Sequence, residues 1–288
     1  MKKTSLIKTV LDWMQNIEVG PGDLTTETVS PYALHSVGSF IAKSGGIFSG
    51  RDVLEILFES SGKQLKVEWN VNEGDALQTD DILFEFQGNG VDILQNRRLI
   101  QWLIGRMSGI ATSTKEASEY LKSFGKQLVQ GVRISPIFEV FDRIAFETGG
   151  GIWKRQGLID SIYITQQHVQ YVGSIEKCLA RVNKELGDTR KAIKIEVEVN
   201  TAEQFKQISE LDYDILHLIG MTSDQIRDIF EKANPLKKPV LHLENLTDFQ
   251  EKYADYFFKY CAVEQLHSNI RHLSNEMKIQ GKEVVKNE

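Results

Sequence analysis

The chain has 288 residues, 41% hydrophobic and 26% charged, with a formal net charge of −6. That length holds two domains, and the acidic balance excludes a general nucleic-acid binder, whose affinity rests on neutralising phosphates. No stretch approaches the ~18 apolar residues of a membrane span, so no membrane partner is expected. The N-terminal MKKTSLIKTVLDWM lacks the apolar run and small-residue cleavage site of a secretory leader. Cys178 and Cys261 form neither a metal-ligand spacing nor a disulfide framework and read as reduced thiols of a cytoplasmic protein.

Residues 4–17 place Leu6, Ile7, Val10, Leu11, Met14 and Ile17 at helical spacing. Gly20-Pro21-Gly22 breaks that helix, and Gly22-Asp23-Leu24-Thr25-Thr26-Glu27 reads as a turn followed by a capping box. Strands are expected at 35–43, 65–71 and 82–86, with a short helix at 53–60. Residues 30–90 thus read as an α+β domain with no obvious chemistry. A helix is expected over 96–112, NRRLIQWLIGRMSGIAT, with Leu99, Leu103, Arg106 and Met107 sharing a face. From residue 113 helical stretches alternate with apolar strands at 127–134, 161–165, 193–200, 215–219, 240–244 and 256–262. Six such strands indicate a parallel α/β barrel or open sheet, since a full barrel has eight. The run 266–285 reads as a charged helix.

The densest signal lies in Gln130–His168, read as a strand, a helix from Pro136 to Phe146, a triple-glycine turn and a second strand, a unit that normally sits in a parallel sheet with a right-handed crossover. Gly149, Gly150 and Gly151 serve either as a helix stop or as a turn that lets a ligand approach the backbone. Arg133, Arg143, Lys154 and Arg155 cluster around that turn in an otherwise acidic chain, a pattern suited to a small anionic ligand or to a solvated basic surface. On the strand KIEVEVN, Lys194, Glu196 and Glu198 share one face and Ile195, Val197 and Val199 the other. A central parallel strand is covered on both faces, so the charged face is expected to point into the barrel. His217 and His242 sit near strand ends and read as packing histidines, although both are placed to line the lumen.

The run GGG-x-x-Lys-Arg-x-Gly-Leu-x-Asp, ending in a short strand and His168, resembles the quinolinate (nicotinate-nucleotide) phosphoribosyltransferases and their paralogues encoded beside molybdate transporters. Gly22-Asp23-Leu24-Thr25-Thr26 and Ser108-Gly109-Ile110-Ala111-Thr112 match further signatures of that family. The resemblance implies an open, incomplete parallel α/β barrel over 113–265, an N-terminal α+β domain over 1–112, and a C-terminal helix over 266–288 that returns to it. It implies transfer of phosphoribose from phosphoribosyl pyrophosphate (PRPP) to a nitrogen of a planar, pyridine-carboxylate-like acid, with Mg2+. Carried over residue by residue, Arg133, Lys154 and Arg155, with Gly150 and Gly151, would hold the acid, helped by Arg98 from the neighbouring subunit of a homodimer. Glu196 and Glu198 would face the ribose, with Glu196 on the metal, and His168 would orient a neighbour.

The match is incomplete at the phosphoribosyl side. The family's Thr-Arg-Lys is Gly131-Val132-Arg133, its Lys-Asp-Asn-His is Thr165-Gln166-Gln167-His168, and its Leu-Asp-Asn is Leu218-Ile219-Gly220. Asn245-Leu246 and Val263-Glu264 stand where the family has small, glycine-containing turns. Trp102 and Trp153 replace small polar residues near the expected site, either to stack on a planar ligand or to pack. Two readings therefore stand: a transferase acting on an altered anionic acid, and a catalytically degenerate homologue that binds a small anion or serves in an assembly.

Overall fold

The computed structural model describes residues 3–29, 34–60, 65–133, 135–155, 157–232, 237–247 and 249–282. Ile134, at the end of the first expected barrel strand, and residues 283–288, at the end of the expected C-terminal helix, lie outside them. Two compact units emerge: Met1–Glu116, Ile134–Gly150 and Leu266–Glu288 form one, and Ala117–Arg133 with Gly151–Gln265 the other.

In chain order the elements begin α1 (Lys3–Val19), α2 (Leu24–Val29), β1 (His35–Ala42), β2 (Gly46–Ile47), α3 (Arg51–Ser60), β3 (Lys66–Trp69), β4 (Ala76–Leu77), β5 (Ile82–Asn89) and α4 (Gly90–Ser123). They continue with β6 (Gln127–Val129), α5 (Glu139–Thr148), β7 (Ser161–Ile164), α6 (Gln166–Val172), β8 (Lys194–Val199), β9 (Ile215–Leu218), β10 (Lys238–Leu243), β11 (Tyr260–Val263) and β12 (Asn275–Lys282). Helices Ile175–Leu186, Ala202–Ile208, Ser223–Lys232 and Phe249–Tyr253 separate the later strands.

The first unit is built on an antiparallel sheet in the order β12-β1-β5-β3. Its strands bury an aromatic cluster in which Phe40 stacks on Phe84 at 4.8 Å and Trp69 meets Phe84 at 4.7 Å. The start of α2 is held as its sequence predicts, with the Asp23 carboxylate accepting the Thr26 N–H at 3.0 Å. The C-terminal stretch is a correction. Residues 275–282 were expected to be helical but form an edge strand in register with β1, from His35 opposite Lys282 to Ala42 opposite Asn275. The local charges that suggest a helix are overridden by the hydrogen-bonding edge that β1 offers.

Within this unit α4 carries Arg106, whose guanidinium donates to Asp142 of α5 from Nε at 2.7 Å and from Nη2 at 2.8 Å. Both residues are buried. Trp102 packs on Phe138 at 4.8 Å, so this tryptophan is part of the packing. The triple glycine has two separate local causes. A Cβ on Gly149 would lie 2.5 Å from the Ala111 carbonyl oxygen and 2.6 Å from the Thr114 Cβ, and Gly150 has φ +90°. The first glycine thus permits close packing and the second the left-handed end of a helix.

The second unit is a six-stranded parallel sheet in the order β6-β11-β10-β9-β8-β7. Hydrogen bonds do not close it, so β6 and β7 are its two edges. The expected strand–helix–strand crossover is therefore corrected: the two strands are not neighbours, and α5 belongs to the other unit. Beyond β6, Ile152 forms a parallel bridge with Val129. Val129, Ile215, Val240 and Ala262 form a buried cluster, and Ile195, Val197 and Val199 are buried on the apolar face of β8. Cys178 and Cys261 are buried and not bonded to each other. Among the described residues no helix is long and apolar enough to cross a membrane.

Removing Asp142 leaves the Arg106 guanidinium buried without its carboxylate, and breaking such a pair costs about 3–5 kcal/mol. Asp142→Ala is therefore expected to lower the unfolding free energy by about that amount in urea titration. A loss below about 1 kcal/mol would place the pair in the class of surface ion pairs.

Candidate active site

A row of polar side chains crosses the interior of the parallel sheet. Ser161 Oγ donates to Glu196 Oε1 at 2.8 Å, and Glu196 Oε2 lies 2.8 Å from His217 Nε2. His217 Nδ1 lies 2.8 Å from His242 Nε2, and His242 Nδ1 lies 2.9 Å from Glu264 Oε1. Glu264 Oε2 then accepts the backbone N–H groups of Val132 and Arg133, each at 3.1 Å. The row follows from strand register. Ser161 is aligned with Lys194, Glu196 with Ile215, His217 with Val240 and His242 with Ala262. Each member sits two residues further along its strand than the position aligned with the previous member, and a step of two keeps all of them on one face.

Glu196, His217, His242 and Glu264 are all buried. Three hydrogen bonds join these four groups, and each needs one proton. Two neutral imidazoles supply two, so the row holds one proton more, leaving two carboxylates with a net single negative charge. Burial pushes His217 down to about 4, against the opposing pull of Glu196. Burial works to raise Glu196 and Glu264, but hydrogen bonds from His217 and His242 respectively outweigh it, and both carboxyls sit below their ordinary value. A Cβ at 131 would lie 2.8 Å from the Glu264 carboxylate, so glycine lets that carboxylate keep its place.

The predicted residues are divided between the two ends of the strands. Lys154 and Glu196 line a cavity of about 820 Å3 at the amino ends, with Ser161, Lys194, Lys238 and Tyr260 among its walls. The Lys154 amine lies 3.8 Å from the centre of the Tyr260 ring, and burial pushes it down to about 8, partly offset by Glu196. Arg155 stacks on Tyr163 at 4.6 Å, donates to the Gly157 carbonyl at 3.3 Å, and keeps its buried Nε without a partner among the described residues. Arg133 stands at the carboxyl ends, where Nη1 pairs with Glu244 Oε1 at 2.7 Å. Glu198 also lies there, accepting the Gln166 N–H at 3.1 Å. Trp153 is buried, its indole donating to the Arg155 carbonyl at 2.7 Å.

Other predicted residues have local structural partners. His168 was expected to orient a site group. Instead its Nδ1 accepts the Thr165 N–H at 3.1 Å and completes the capping box of α6 in an exposed position. Gly150 lies at the C-terminal end of α5, donating to the Glu147 carbonyl, and Gly151 follows it into the second unit. Arg98 is on α4 of the first unit, 74% exposed, with Nη1 2.9 Å from Glu18. The set does not fit a resident magnesium ion on Glu196, because Ser161 and His217 occupy both its oxygens. Among the described residues no three His, Cys, Asp or Glu side chains converge as metal ligands. Sequence reasoning missed the joining of His217 and His242 to Glu264. Their only signal was placement near the ends of successive strands.

A neutral His217 contributes stability above about pH 6.5, where the unfolded imidazole is also neutral. That contribution is lost as pH falls toward about 4, because the unfolded chain takes up the proton first. The His217 ring is accordingly expected to show no titration by NMR between pH 8 and 5. A midpoint above about 6 would contradict its neutral place in the row.

Comparison with known proteins places this geometry in a family. Residues 23–108 match the N-terminal domain of quinolinate phosphoribosyl transferase and residues 110–265 its C-terminal domain. A Nicotiana tabacum protein named quinolinate phosphoribosyltransferase [decarboxylating] 2b, mitochondrial, is 33% identical over 192 residues, which are 67% of this chain and 54% of the relative. The match thus spans about half the length of that plant protein. A Bacillus subtilis protein named probable nicotinate-nucleotide pyrophosphorylase [carboxylating] is 28% identical over 76% of this chain and 74% of its own. In fold, NadC from Streptococcus pyogenes superposes with a TM-score of 0.84 at 21% identity, covering 96% of this chain and 98% of that one. The Ehrlichia chaffeensis nicotinate-nucleotide pyrophosphorylase gives 0.86 at 18% identity, covering 94% and 98%. With both domain models matched in order, an α/β unit preceded by an α+β part and an open six-stranded parallel sheet, the chain belongs to the quinolinate phosphoribosyltransferase family.

Proposed function

We propose that the chain transfers phosphoribose from PRPP to a ring nitrogen of a planar, anionic acceptor of the pyridine-carboxylate kind. The observation that carries this reading is the Lys154–Arg155 pair. Both cations are partly buried in the barrel unit, and neither has a carboxylate partner among the described residues. A buried cation without a counter-charge is costly, and an acid bound there would relieve the cost. In this reading Lys154 and Arg155 bind the acceptor's carboxylates, Arg133 assists from the strand carboxyl ends, and Glu198 faces the ribose. The protein then works as a homodimer, with the exposed Arg98 serving the partner's site. Two reduced, buried thiols accord with the cytoplasm.

A second reading, that of a degenerate anion-binding homologue or assembly subunit, is favoured by Glu264. Its carboxylate occupies the N–H groups of Val132 and Arg133, at a turn where the resemblance implies phosphate contacts. An internal carboxylate there repels a phosphate and takes its donors.

Calorimetric titration separates the two. The transferase reading expects PRPP to bind in the presence of magnesium, and Lys154→Ala to weaken quinolinate binding about tenfold or more. If PRPP fails to bind at millimolar concentration while quinolinate is still taken up, the transferase reading is lost and the second stands. Glu264→Gly is then expected to create phosphate affinity at the Val132 and Arg133 N–H groups that Glu264 occupies.

A further inference from the structure

The cavity at the amino ends of β7 to β11 lies opposite the end at which ligands enter parallel barrels. Four lysines and three acids line it. Of its three acids, Asp160, Glu196 and Asp214, the last pairs with Arg190 at 2.9 Å and accepts the Ile195 N–H at 2.8 Å. Glu196 is held by Ser161 and His217. Of its amines, Lys237 donates to the carbonyls of Leu211 and Tyr213 at 2.7 and 2.9 Å. Lys154, Lys194 and Lys238 have no hydrogen bond or ion pair among the described residues. A further donor waits in the wall: Tyr213 is 3% exposed, and its buried hydroxyl has no hydrogen-bond partner among the described residues.

We propose that this amino-end cavity is a second binding site, taking a small molecule that carries a phosphate or diphosphate group between Lys154, Lys194 and Lys238. Lysine amines are compact point charges that suit phosphate, whereas recognition of a carboxylate favours the planar fork of arginine, and no arginine lines this cavity. The three amines come from three separate segments of the unit and line one cavity. The site shares one residue with the proposed acceptor site. Lys154 is common to both proposals, but Lys194 and Lys238 have no part in the transferase reading.

The test is titration of the full-length protein with inorganic pyrophosphate, without magnesium, followed by 31P NMR and calorimetry. Saturable binding is expected. The double variant Lys194→Ala/Lys238→Ala is expected to weaken it about tenfold or more with thermal unfolding unchanged, since both side chains are exposed. Glu264→Gly, at the opposite end of the sheet, is expected to leave the Lys194- and Lys238-dependent binding in place. No pyrophosphate binding at millimolar concentration, or equal binding by the double variant, overturns the proposal. Ribose 5-phosphate and succinate extend the assay. Binding of the sugar phosphate identifies a phosphorylated metabolite as the class, whereas succinate binding as tightly as pyrophosphate overturns the phosphate assignment. The Lys194/Lys238 variant leaves PRPP transfer unchanged if the two sites are separate, so failure here and failure of the transferase reading are distinguishable.

Discussion

Two carboxylates and two imidazoles are buried together in the barrel unit, and their mutual pairing is the constraint on which its architecture depends. An ionised carboxylate in a low-dielectric interior is strongly unfavourable unless hydrogen bonds replace its water. Glu196 and Glu264 meet that demand through Ser161, His217, His242 and two backbone N–H groups. The resulting row touches β7, β8, β9 and β10 and the chain just past β11 and β6. It therefore ties all six parallel strands to one register. A slip of one residue in any strand would turn its member away from the row and toward the other face of the sheet.

That constraint also shapes the functional argument. A family whose chemistry depends on gripping phosphates needs donors and open space at the carboxyl ends of its strands. In this chain Glu264 lies at that place and takes the N–H groups of Val132 and Arg133 for itself. Gly131 accompanies it, since a Cβ there would lie 2.8 Å from the carboxylate and push it aside. Lys154 and Arg155 meanwhile have no ion-pair partner among the described residues and lie next to the aromatic rings of Tyr260 and Tyr163. The balance of charge has shifted: the carboxyl ends hold an internal anion, and the amino-end cavity holds unpaired amines. Membership in the family fixes the fold and leaves the chemistry to be decided by these groups.

Local interactions explain several features that first suggest chemistry. The three glycines answer to helix packing at Gly149 and a left-handed turn at Gly150. His168 caps a helix, and Trp102 and Trp153 are packed. Conversely, His217 and His242 look unremarkable in the chain, because a single histidine in an apolar strand has no signature of its own. They gain meaning only as neighbours.

The sequence by itself determined the α/β class, the alternation of apolar strands with helices in the second half of the chain, and the family. Those features rest on spacing within short stretches, where side-chain period and turn chemistry act locally. It misassigned 275–282 as helix, because the edge of β1 that pairs with this stretch lies more than two hundred residues away. Only the tertiary structure decided that Ser161, Glu196, His217, His242 and Glu264 form one hydrogen-bonded row, and that Lys154 and Arg133 lie toward opposite strand ends. Such meetings depend on the relative register of parallel strands joined by long connections. Register is settled by the packing and hydrogen bonding of the whole sheet, not by any residue's neighbours along the chain.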